Sequence, residues 1–182
     1  MATALWRRLD TPGHDACALE SLALGWRLQG AAVFRQQGAP VWLTYRLTCD
    51  SSWNTIEGQV QGWHGDQPVQ WAIQHNGQGG WMLNGQAVAG LEACRDLDLC
   101  FTPATNFLQI RRIALAISQT ADVPVAWLDP AAGTLSLLPQ RYQRRSEFTY
   151  WYEAPTVGYQ GLLELAPTGI VRRYPDLWEL VE

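Results

Sequence analysis

The chain has 182 residues, 47% of them apolar and 16% charged, with 13 basic against 17 acidic side chains and a net charge of −4. That apolar share excludes a disordered chain, and the acidic balance argues against nucleic acid as a partner, since phosphate binding needs a basic face. The length fits one domain over residues 1–182, large enough to bury a core without a disulfide or a structural metal.

The opening MATALWRRLDTPGHD has no apolar core of signal-peptide length before its Arg pair, so a cytoplasmic location is expected. No run approaches the ~18 apolar residues of a membrane-spanning helix. Residues 15–24 read as a short helix or as a strand, and an apolar run near 27–34 as a strand. Val41, Leu43, Tyr45, Leu47 and Cys49 then alternate with Trp42, Thr44, Arg46 and Thr48, a strand with one face on a core. Another run falls near 54–63. Val69, Trp71, Ile73 and His75 alternate up to Asn76-Gly77, and the next apolar run opens at Trp81, so residues 76–80 predict a hairpin loop.

Between 94 and 112 the pattern predicts a strand with Asp96 and Asp98 on one face, a turn at Thr105-Asn106, and a returning strand opened by Arg111 and Arg112. Adjacent strand residues face opposite sides, so one of these arginines must turn toward the core. A buried Arg demands a carboxylate, and Asp96 or Asp98 is the candidate. Further alternation follows at 113–118, 123–127, 135–143, 148–153, 159–165 and 170–174, and Pro175 opens a last helical turn. Short strands at this spacing predict an all-β sandwich or barrel.

Six candidate inward positions are aromatic with polar tips: Tyr45, Trp71, Trp81, Trp127, Tyr150 and Tyr152. Such rings suit the wall of a cavity holding one amphiphile, or they pack a sandwich core. Four widely spaced Cys and three His form no metal-ligand pattern. A nucleophile elbow, a P-loop and a dinucleotide fingerprint are all absent. No catalytic residue, metal or cofactor is therefore expected. The alternatives are a carbohydrate- or lipid-acting hydrolase using the Asp96 and Asp98 carboxylates, or a structural domain that acts through protein contacts.

The central segment also carries a resemblance. Asp96, Asp98, Thr102, Pro103, Thr105, Asn106, Arg111 and Arg112 match an Asp-x-Asp, Thr-Pro-x-Thr-Asn, Arg-Arg signature. Trp6, Arg7, Tyr45, Asp50, Trp53, Gln140, Tyr142, Val171 and Tyr174-Pro175 extend the likeness along the chain, while Gln109 stands where a Pro is usual. In these residues the sequence resembles a bacterial family described as glycolipid-binding, also called DUF1089. The resemblance implies an antiparallel β-barrel or β-roll of about ten or more strands, open to internal duplication, similar in shape to bacterial lipid and lipoprotein carriers. It implies an amphiphilic small molecule, a glycolipid or fatty-acyl ligand, as the partner. Tyr45, Trp53, Asp96, Asp98, Asn106, Arg111, Arg112, Tyr142 and Tyr150 are the candidate ligand-binding residues.

Overall fold

A computed structural model describes residues 1–181. The first half runs β1 (Ala2–Arg8), β2 (Gly13–Leu22), β3 (Gly25–Gln36), β4 (Ala39–Asp50), β5 (Thr55–His64), β6 (Gln67–His75), β7 (Trp81–Leu83) and β8 (Gln86–Val88). Then come β9 (Asp96–Leu99), α1 (Ala104–Ile113), β10 (Thr120–Asp122), β11 (Val125–Asp129), β12 (Thr134–Leu138) and β13 (Arg141–Arg144). The chain closes with β14 (Thr149–Ala154), β15 (Tyr159–Leu165), β16 (Val171–Tyr174) and β17 (Trp178–Leu180).

Fourteen strands form one sheet in the order β10-β13-β14-β15-β16-β17-β1-β2-β3-β4-β5-β6-β7-β8. Each neighbour pair in it is antiparallel. Strand β4 shows why these segments become strands: Val41, Leu43, Tyr45, Leu47 and Cys49 are buried while Trp42 and Arg46 face out. The period of two that marks the sequence is the period of burial. The predicted hairpin holds, with β6 and β7 joined through residues 76–80 and Asn76 Oδ1 accepting from the Gln78 and Gly80 amides at 2.8 and 2.9 Å. Residues 15–24 belong to β2 and its turn. Residues 175–177 form a turn into β17, where a helical turn was expected.

Two larger expectations fail as well. The large sheet does not close, because β8 and β10 lie at opposite margins without pairing to each other. It is an open sheet and no barrel. The predicted return strand at Arg111-Arg112 is instead the last turn of α1. Thr105 and Asn106 lie in its first turn, and residues 114–118 are a left-handed cap and a loop. The cause is burial on all sides: Ala104 to Ile110 are buried without a break, Thr105, Asn106 and Gln109 included. A helix enclosed all round shows no apolar stripe for periodicity to find. Its last turn carries Arg111 and Arg112, where cations meet the negative end of the helix dipole.

The helix serves a second, three-stranded sheet ordered β12-β11-β9, in which β9 and β11 run parallel. A parallel pair needs a crossover, and the chain through α1 supplies it. This unit fills the space that the sequence reading left hollow. On one side the Leu97 amide donates to Thr55 Oγ1 at 3.0 Å, Leu97 lies against Gly58, and Phe101 meets Tyr45 at 5.9 Å. On the other side Asn106 and Gln109 reach Tyr142 on β13. Leu97, Leu99, Phe101 and Leu108 are each at most 2% exposed. Trp71, Trp81, Tyr45 and Tyr150 are buried with them, so four of the six aromatic positions expected to line a cavity pack the core, while Trp127 and Tyr152 border a small cleft.

Candidate functional site

The Asp-x-Asp strand places its two carboxylates in different company. Asp96 is 1% exposed and accepts from Arg112 Nε at 2.9 and 3.0 Å and from Nη2 at 2.7 Å. The expected Arg–carboxylate pair therefore forms, through a helix and not through a return strand. Asp98 lies two residues on and accepts amide N–H bonds from Gln140 at 2.7 Å and Gln109 at 3.1 Å. Burial pushes both acids above the usual carboxylate range, against the lowering effect of these donors.

Behind Asp98 the same amides continue into Tyr142. Its hydroxyl donates to Gln109 Oε1 at 2.5 Å and accepts from Asn106 Nδ2 at 2.8 Å. Gln109 thus spends its NH2 on Asp98 and its oxygen on Tyr142, and the Gln140 oxygen, at 3.3 Å, shares the one hydroxyl proton. The amide orientation is fixed by this demand. Burial holds the Tyr142 phenol far above its ordinary value, so it stays protonated and can donate.

Asp98 and Asn106 also face a cleft of about 140 Å³ between the three-stranded sheet and β14–β17. Its walls include Trp127, Tyr152, Tyr174 and Trp178. The tyrosines form an edge-to-face chain, Tyr152 to Tyr174 at 5.6 Å and Tyr174 to Tyr159 at 5.0 Å. An acceptor at the base and rings with polar tips at the sides match a small polyol ring, whose hydroxyls donate and whose C–H face packs on aromatics.

Of the nine residues expected to bind ligand, only Asp98 and Asn106 line this cleft, and Tyr142 supports them from behind. Asp96 and Arg112 satisfy each other. Tyr150 packs against Tyr142 at 6.5 Å and under the Arg144 guanidinium. Arg111 lies over Phe107 and donates to the Thr168 carbonyl at 2.7 Å. Trp53 stacks on Trp26 at 4.3 Å, and the preceding turn is built by Asp50, whose Oδ1 accepts from Ser52 N and Asn54 N. Tyr45 stands in a separate buried node, donating to Asp15 Oδ2 at 3.0 Å beside Thr102 Oγ1 at 2.6 Å.

That node was missed by sequence reasoning, as were the roles of Gln109 and Gln140. For Asp15 a signal existed: it shares strand parity with Cys17 and Leu19, the buried side of β2. Asp15 is fully buried, its Oδ1 has no hydrogen-bond partner, and desolvation pushes its carboxyl up to about 7. Thr102 Oγ1 also accepts the Ala104 amide at 3.0 Å, tying the node to the start of α1.

The sequence matches the family described as "Putative glycolipid-binding" over residues 3–179. The chain belongs to this family. A crystal structure of a DUF1089 family protein from Pseudomonas aeruginosa superimposes with a TM-score of 0.80 at 25% identity, covering 91% of each chain. No curated protein matches the sequence. Among the described residues no helix is long and apolar enough to cross a membrane, and no cluster of three or more His, Cys, Asp or Glu could hold a metal ion.

Proposed function

We propose that this protein binds, without transforming it, an amphiphile bearing a sugar or similar polyol head, and that the head enters the cleft over Asp98. The observation that carries this reading is a buried carboxylate, held by two amides, that opens onto a cleft walled by Trp127, Tyr152, Tyr174 and Trp178. The family description supports the ligand class. At about 140 Å³ the cleft is smaller than the ~300–1,000 Å³ of sites that engulf a drug-sized ligand. It takes a head group and leaves an acyl chain outside, which departs from the enclosed lipid cavity expected at first. Asp96 and Asp98 do not act as a free acid–base pair in this reading, because Arg112 holds Asp96 and both glutamines fix Asp98 through one oxygen, Oδ2.

Purified protein is titrated with dodecyl maltoside below its micelle concentration, followed by tryptophan fluorescence, with native mass spectrometry for retained amphiphile. A hydrogen bond to a charged group contributes about 1.5–3 kcal/mol, so Asp98→Asn is expected to weaken binding about tenfold or more. Trp127→Ala, half-buried at the cleft wall, should weaken it while leaving the thermal midpoint near that of the native protein. Absence of both retained amphiphile and titratable binding refutes the proposal.

A further inference from the structure

The outer face of the large sheet carries a second concavity of about 780 Å³, within the ~300–1,000 Å³ range of ligand sites. Register fixes its floor. Ala16, Ala31, Thr44 and Gln61 lie side by side across β2 to β5, and Ala18, Gln29, Arg46 and Gln59 form the next row. Three alanines keep the middle low, and the long amides and Arg46 rise around it. From β2 to β5 the trough spans about 14 Å, three strand spacings.

One step further along the strands the row changes character. Val33, Trp42, Trp63 and Pro68 are cross-strand neighbours on the same face. Trp42 and Trp63 are 37% and 39% exposed, with ring centroids 6.3 Å apart. Large apolar side chains grouped in water mark a binding surface more often than isolated ones do. Two indoles thus stand at the end of a trough that holds three glutamines, two threonines and a single ion.

We infer that this face binds a neutral oligosaccharide chain. The ring faces of sugars, lined with C–H groups, pack on the indoles. Amide side chains both donate and accept, which is what a row of hydroxyls requires, and Arg46 adds fixed donors. Charge complementarity settles the class: one cation in the trough suits an uncharged polymer, whereas a phosphate backbone needs many. An acyl chain could lie on the alanines of the floor, but it would leave the amides, hydroxyls and Arg46 around them without hydrogen-bond partners, which a sugar chain supplies. This inference is independent of the cleft over Asp98, which lies on the inner side of the sheet.

The full-length protein is titrated by calorimetry with maltohexaose, cellohexaose and chitohexaose in turn, and with phosphatidylglycerol vesicles. At least one hexaose should bind. Trp42→Ala and Trp63→Ala should each weaken it at least tenfold, Ala31→Leu should weaken it by filling the trough, and Asp98→Asn should leave it unchanged. The inference is overturned if none of the three sugars binds at millimolar concentration, or if the Trp42→Ala/Trp63→Ala double variant retains native affinity. It is also overturned if Asp98→Asn removes sugar binding, or if the tryptophans support binding to vesicles alone.

Discussion

Two buried acidic nodes, one tied to the start of α1 through Thr102 and one holding Gln109 of the same helix, solve the same physical problem differently. On the β13 side Asp98 takes amide hydrogens from Gln109 and Gln140, and its neighbour Asp96 is matched by a guanidinium. On the β2 side Asp15 has only the hydroxyls of Tyr45 and Thr102, and one of its oxygens is unpartnered. An amide nitrogen can only donate, so the first node is committed to accepting groups. A hydroxyl can donate or accept, so the second node tolerates its acid either ionised or neutral. One-way donors favour the ionised acid against the burial that disfavours it, whereas reversible hydroxyls leave the balance to burial.

The contrast is tested hardest by removing the cation. Arg112→Ala leaves Asp96 buried without its partner, a change that typically costs 3–5 kcal/mol. Arg112 is partly exposed, so urea denaturation should show a loss at the low end, about 3 kcal/mol. A loss well under 1 kcal/mol would mean that water replaces the guanidinium freely, and the β13 node would not be committed at all.

The Asp15 node should show itself in pH dependence. Its carboxyl titrates at about 7 in the folded chain against 3.8 when unperturbed. Between those values the folded state binds the extra proton, so stability falls as pH rises through that window and levels off above it. At roughly 1.4 kcal/mol per pKa unit the loss is on the order of 4 kcal/mol. Asp15→Asn should flatten this slope and exceed the native thermal midpoint at pH 8. Equal slopes between pH 5 and 8 in both proteins would show that Asp15 does not titrate there.

A smaller effect sharpens the amide side. Gln140→Leu takes one of two donors from Asp98 and should cost about 2 kcal/mol in chemical denaturation, in the range for a buried group left short of a partner. Because Gln109 remains, the fold should survive. A neutral outcome would assign the whole restraint of Asp98 to Gln109.

Much of the large sheet was legible in the sequence, because strands such as β4 have one buried and one wet face and alternation records that directly. The helix was illegible for the opposite reason. Its polar residues Thr105, Asn106 and Gln109 are buried and bonded, so they neither mark a wet face nor look like core. That an arginine of this segment would meet Asp96 or Asp98 followed from charge alone, and the structure makes the pair Asp96 with Arg112 although the expected strand geometry was wrong. Asp98 and Asn106 were found through the motif. The aromatic wall of their cleft was only partly visible: Tyr152 and Trp127 were marked as inward, but Tyr174 and Trp178 come from strands far along the chain, and only topology brings them together.

Finally, the sheet ends at both margins in strands of three residues, Gln86–Val88 and Thr120–Asp122. Three residues offer about 10 Å of unpaired backbone, and the stretch of β6 that β7 leaves unpaired is met at Gln70 and Ala72 by Asn84, so little template remains for a second chain to zip onto. A molecule built around one very wide sheet thus avoids the fibrous stacking that long bare edges invite.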